Sequence, residues 1–549
     1  MFEIKSIKLY FFSIKKIFSL KINNTYFKSN FYHKKITKVG SSRFYYIPRP
    51  NLIEPLILSK NYFYNIKKID AENLWNENIE NLNEINNLHS FLWLNTLDRK
   101  SDKFLFQKLI ESWIKKYDKY DKKVWDYEIL SKRIIAWASN LDIIFEGSKN
   151  DYKEKFILTL ITQINHLARN IKNLSTGSEK IICSSAIILS GLLFKETSFN
   201  LTFGLKELEK ITENFFDKSG FPRSRNPEEL IISLKYIILI REWLKESQSH
   251  IPDFLDNIIF KIGNCYEFIK NSNKKISLFN GATEINHDDY DLFLKRMKYS
   301  FTNNEFERGG FIKAKNKNLE ISIDVGEPPP NNFSKFYQAG CLSFEFISNG
   351  EKIICNSGYS KLASQKFSSL SSSTAAHSTL YINNNSSCSF QKNKLINEIY
   401  GNVILEKFTI LKKEFKENKN NFLITAGHDG YKKKFGYSHF RSFEIYENKL
   451  FGTDELKKND NKKNLVNFYI RFHIYPGIKI VKTRDEKSIL LSLKNNEGWK
   501  LNSETNNFKI DKNIFFGKKN KIIGSQCVYM YGRTNEDNLK VKWSIEKVS

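Results

Sequence analysis

The chain has 549 residues, room for two to four domains at roughly 150 residues each, which excludes a peptide or a single small module. With 41% hydrophobic residues, 45 Phe, 26 Tyr and 8 Trp, it has ample core-forming material and is too aromatic to be disordered. The formal net charge of +27 favours an acidic partner: nucleic acid, anionic lipid or an anionic polysaccharide.

In chain order, the first segment, MFEIKSIKLYFFSIKKIFSLKINN, is basic and apolar. Its lysines at 5, 8, 15, 16 and 21 leave no apolar stretch longer than Leu9–Ile14, so it reads neither as a secretory signal nor as a spanning helix. It reads as a surface helix that docks on the protein or touches a membrane, with residues 1–70 forming a basic extension. From 71 to 275 the apolar residues recur at helical spacing. Phe156, Leu160, Ile161, Ile164 and Leu167 share one face, and Asn226, Pro227, Glu228 and Glu229 mark a helix start.

From 276 to 549 the period becomes two, as in Leu319, Ile321, Ile323 and Val325, in Phe468, Ile470, Phe472 and Ile474, and in Leu539, Val541, Trp543 and Ile545. Helices first and strands second predict an α+β multidomain chain, with an all-helical domain before an antiparallel β-sandwich. The six cysteines show no CxxC and read as buried free thiols. No run of five Lys/Arg marks a nucleic-acid arm, and nucleotide-binding, α/β-hydrolase and zincin motifs do not occur.

The second half carries an ordered set of short strings: FNGATE at 279–284, DVGEPPP at 324–330, AGCLSFEF at 339–346, STAAHSTL at 373–380, HDGY at 428–431 and HFRSFEI at 439–445, preceded by FPRSRNPEEL at 221–230. In this order they resemble the heparinase II/III family of polysaccharide lyases. The resemblance implies an N-terminal (α/α) toroid packed on the sandwich, with an acidic, uronate-containing glycan in the groove between them, cleaved by β-elimination. That chemistry needs a base for the proton alpha to the carboxylate, donors that neutralise the carboxylate, and an acid for the leaving oxygen. Amino-acid side chains can fill all three roles, so no cofactor or metal is expected.

The chain also departs from the family. Where members carry H-x-H-x-D, it has Phe336, Tyr337, Gln338, Ala339 and Gly340, and of the metal-site residues only His377 is matched. Tyr337 is therefore the expected base and acid, with His377 and Arg225 beside it and Gln338 as carboxylate donor; for Tyr337 a half-exposed strand position is the alternative, and for His377 a structural role that pins neighbouring strands through hydrogen bonds. Arg223 and Arg225 could grip a carboxylate or pair with Asp217 or Glu228, and Asn226 binds substrate or caps its helix. Trp93 and His89, in a segment resembling the toroid entrance, supply sugar-stacking surface, and His428 lines the cleft; core packing stands against Trp93 and loop-fixing hydrogen bonds against His428. The expected function is an eliminating lyase, the alternative a catalytically silent glycan-binding or envelope-biosynthesis protein. The resemblance places it in the cell envelope or periplasm, with the cytoplasm as alternative.

Overall fold

A computed structural model describes residues 2–37, 43–57, 74–76, 82–100, 102–359, 365–419, 421–459, 465–503, 507–518, 521–535 and 538–548. The expected boundary at residue 70 lies outside these. Helices α1 (Phe2–Lys28), α2 (Asn30–Ile36), α3 (Leu82–His89), α4 (Lys103–Tyr117), α5 (Tyr127–Ala138), α6 (Leu141–Phe145), α7 (Asn150–Asn170), α8 (Ser178–Leu193), α9 (Phe199–Phe215), α10 (Pro227–Glu246), α11 (Asp253–Ile269) and α12 (Asp288–Arg296) precede the strands. One apolar core runs through them, from Phe27 and Tyr32 of α1 and α2 to Tyr290 and Phe293 of α12.

Local rules account for the helices. Asn226 caps α10, its side-chain oxygen accepting from the Glu228 N–H at 2.8 Å, and Pro227 opens the first turn. The predicted face of α7 is buried throughout, and His166 is buried with it. Between the helices, the Arg133 guanidinium donates to Gln163 and to the carbonyls of His89 and Val124, and lies 4.4 Å from the centre of a Trp113 ring.

Two large antiparallel sheets surround a second core, and Ser389–Phe390 pairs with Ile404–Glu406 in a separate two-stranded sheet. A nine-stranded sheet runs in the order Glu307–Arg308, Phe311–Lys315, Leu319–Asp324, Phe344–Ser348, Glu351–Cys355, Asn467–Ile474, Ile523–Arg533 and Phe508–Phe515, with Leu380–Ile382 added beside Asn467–Ile474. An eight-stranded sheet runs from Lys479–Lys482 through Ser488–Ser492, Gly498–Ser503, Leu539–Lys547, Lys449–Lys458, Tyr437–Ile445 and Asn421–His428 to Ile410–Asn418. The chain is thus a toroid-like helical domain followed by an antiparallel β-sandwich.

Strand Leu319–Asp324 departs from simple alternation, as does its neighbour Phe344–Ser348. Glu320 and Asp324, which read as solvent-facing, are buried along with the rest of Leu319–Asp324. The helical domain covers that face, so each charge has a partner: Lys313 reaches Glu320 at 2.7 Å and Arg225 reaches Asp324 at 2.5 Å, while on the next strand Lys352 reaches Glu345 at 2.9 Å. Period two survived in the sequence because these positions stayed charged; burial required them to be paired.

Candidate functional site

A cleft of about 1510 Å³ opens where the helical domain meets the sandwich. Its floor is built from helix starts. Glu128 sits in the first turn of α5, Glu179 in that of α8, and Glu228 and Glu229 in that of α10, and all four line the cleft. Helix N-termini favour negative charge, which explains acids at these positions. Ser178 donates to Glu229 at 3.3 Å and Ser224 donates to its other oxygen, tying α8 to α10. Burial, followed by the charges of Asp126 and Glu128, pushes the Glu179 carboxyl up to about 7, with Lys335 pulling against it.

The walls are basic and polar. Lys16, Lys132, Lys335, Lys518 and Lys521 line them, with Tyr359 and Tyr400. Lys132 pairs with Glu128 at 2.5 Å. Asn226 also lines the cleft, and its buried Nδ2 has no hydrogen-bond partner. The turn at Gly281 presses close behind it: φ is +90°, and a Cβ there would lie 2.5 Å from the Phe336 Cβ and 3.2 Å from Asn226 Nδ2.

Of the residues expected to act, only Asn226 and Tyr337 line this cleft. Tyr337 lies on the loop before Phe344–Ser348, not in a strand. Its hydroxyl is buried without a hydrogen-bond partner, and burial raises its pKa well above 10. It is therefore enclosed where a proton-transfer group must reach substrate.

Arg225 does not grip a ligand, and it pairs with neither Asp217 nor Glu228. Held at φ +60°, it crosses from the loop before α10 into the sandwich. There it donates to the carbonyls of Gly309 (2.9 Å), Gly310 (3.0 Å), Gly326 (3.2 Å) and Glu327 (3.4 Å) and to Asp324, over the Phe311 ring. Burial opposes its charge, but Asp324 outweighs this and holds it ionised. Arg223 is exposed away from the cleft lining, its Nε donating to the Phe216 carbonyl.

Gln338 accepts from the Gly281 N–H at 3.0 Å and donates to the carbonyls of Gly358 and Ser371 at 3.1 and 2.6 Å, which uses both ends of its amide. His377 is buried with Nδ1 on the Ser373 carbonyl, and desolvation lowers it to about 4. His428 is buried with Nδ1 accepting from the Gly430 N–H, and desolvation lowers it well below 6.5. His89 accepts from Trp113 Nε1 and is lowered to about 3, chiefly by burial. Trp93 is core: its Nε1 donates to the Leu88 carbonyl and its ring stacks on Phe91. Sequence reasoning missed Glu179 and Glu229. The available signal was their position, each in the first turn of a helix.

The family's metal-site residues can be tested directly. His377 offers one imidazole, and its neighbour His473 has both nitrogens occupied, by Ser357 and the Ala375 carbonyl. Among the described residues no group of three His, Cys, Asp or Glu could hold a metal ion. The donor set does not fit, and no step is derived through a metal.

Residues 301–544 match the heparinase II/III-like C-terminal domain. The whole fold matches the crystal structure of heparinase III, with TM-score 0.69 and 13% identity over 94% of this chain and 88% of that one. It also matches heparan sulfate lyase HepC of Pedobacter heparinus, with TM-score 0.64 and 11% identity over 86% and 78%. By sequence it is 20% identical to the FtsZ-localized protein C of Caulobacter vibrioides over 464 residues, 80% of this chain and 77% of that protein. The motif order and the matched region together make residues 301–544 a heparinase II/III-like C-terminal domain, and the chain as a whole has the toroid-on-sandwich fold of these lyases.

Proposed function

We propose that the chain acts on an acidic, uronate-containing glycan held in the cleft, by β-elimination, with carboxylate chemistry in place of the family's histidines. The supporting observation is a half-buried carboxyl, Glu179, whose pKa near 7 populates both its acid and base forms at neutral pH. In this reading Lys335, on the cleft lining, supplies positive charge to the uronate carboxylate. The base takes the proton alpha to that carboxylate, the carbon–oxygen bond to the leaving sugar breaks, and the leaving oxygen receives a proton from the acid form. Such a polymer belongs to the cell envelope, which is where this reading places the protein.

The second reading is a glycan-binding protein without turnover. It is favoured by the histidines: His89, His166, His377, His428, His439 and His473 are all buried, and none lines the cleft. One experiment separates the two. Purified protein is mixed with a panel of uronate polymers while ultraviolet absorbance of the unsaturated product and calorimetric binding are recorded. Rising absorbance supports elimination; binding with a flat trace supports the second reading. Neither signal on any polymer refutes both.

A further inference from the structure

The surface of α1 is inverted. Plotted at 100° per residue, Ile7, Phe11, Ile14, Phe18 and Ile22 fall on one stripe, and that stripe faces solvent: Phe11 and Phe18 are each 65% exposed, Ile7 54% and Ile22 53%. The opposite face, with Leu9, Ser13 and Phe27, meets the protein, and Ser13 is fully buried there. Lys8, Lys15 and Lys21 flank the outward stripe, and between Ile7 and Lys28 there are five lysines and no acidic residue. No described helix is long and apolar enough to cross a membrane.

We propose that α1 is a membrane-surface helix whose Ile7–Phe11–Ile14–Phe18–Ile22 stripe seats in the interfacial layer of an anionic lipid bilayer. A stripe of large apolar side chains edged by lysines matches such a layer on both counts, with apolar area for the acyl boundary and positive charge for the headgroups. The main competitor is a second copy of the chain. Two α1 helices packed stripe to stripe would bring the lysine flanks of both into the same seam, a like-charge arrangement that an anionic surface avoids. The helix also touches the cleft: Leu9 and Lys16 line it, and Lys16 Nζ lies 5.3 Å from the centre of the Tyr400 ring. Because these residues lie on the face opposite the stripe, membrane docking would hold the cleft about one helix diameter from the bilayer. The inference stands on α1 alone and does not depend on the chemistry proposed for the cleft.

The test is vesicle co-sedimentation of the full chain, using phosphatidylcholine with or without phosphatidylglycerol, at low and high salt. Binding is expected only to the anionic vesicles, weakening with salt. Phe11→Ser/Phe18→Ser should lower the partition coefficient by tenfold or more, from the apolar area withdrawn, and Lys15→Glu/Lys21→Glu should abolish the preference for anionic lipid. All these side chains are exposed, so circular dichroism melting should not change. Unaltered sedimentation of the Ser variant overturns the proposal, as does absence of binding to either vesicle. A concentration-dependent dimer that the Ser substitutions dissolve, without vesicle binding, assigns the stripe to self-association and overturns it equally.

Discussion

Arg225→Ala tests whether this arginine joins the domains or serves the substrate. In the structure its guanidinium serves four backbone carbonyls and Asp324, all at the seam between the α10 loop and the nine-stranded sheet. Removing it leaves the Asp324 carboxylate buried without its cation, although the Gly326 N–H still donates to it. Breaking a buried pair from one side costs about 3–5 kcal/mol, and carbonyls left without donors add to that wherever water cannot reach them. Arg225→Lys should lose somewhat less, because one ammonium cannot span five acceptors. Arg225→Met/Asp324→Leu should recover part of the loss, since no charge is then stranded. The assay is urea unfolding followed by tryptophan fluorescence, with glycan binding measured on the folded fraction. A loss below about 1 kcal/mol, with glycan binding abolished in folded protein, would refute the structural reading and return Arg225 to the site.

Glu179→Gln should remove the neutral-pH limb of any elimination activity, by about 10²–10⁴ in rate for a lost acid–base group, with binding retained. The Glu179 pKa is raised on folding, so the group contributes stability below its unfolded value and loses it as pH rises toward 7; Gln should therefore make the protein more stable at pH 8 than the parent. The buried histidines run the other way. His89, His166 and His473 are held near 3 and His377 near 4, so unfolding takes up protons below about pH 6.5, and stability should fall as pH drops from 7 to 5. The loss is on the order of 2 kcal/mol per histidine at pH 5, read from urea midpoints; a flat profile would place these imidazoles in water. Trp93→Ala should cost about 3–5 kcal/mol as a cavity and leave glycan affinity of the folded protein unchanged; a selective loss of affinity would restore it as a sugar platform.

The fold was legible because periodicity reports burial, and burial is what both domains are built on. The α7 face and the α10 cap follow from local rules that tertiary packing did not override. The candidate site was legible in location only. Tyr337 and Gln338 stand where family members carry functional side chains, yet one side chain is sealed beneath the cleft surface and the other is consumed by three backbone groups. Spacing along a chain does not distinguish a loop residue that points outward from one that points inward. Arg225 shows the same limit: an arginine on a loop before a helix looks free to bind an anion until the partner domain supplies Asp324 from 99 residues away.

Charge placement connects these observations to function. The chain is strongly basic, yet the floor of its cleft carries Glu128, Glu179, Glu228 and Glu229 at three helix N-termini. Those termini would otherwise offer positive potential to an anion. With glutamates there, the proposed uronate carboxylate would be repelled from the helix starts and directed to lysines of the cleft such as Lys335. Burial, followed by the charges of Asp126 and Glu128, is what raises the Glu179 carboxyl. A polyanion arriving at the walls would add negative charge and raise it further, strengthening the carboxylate as a base and favouring the acid form that then protonates the leaving oxygen. Elimination activity, where it occurs, should accordingly have a rate profile whose acid form persists to higher pH with substrate bound than in the free protein.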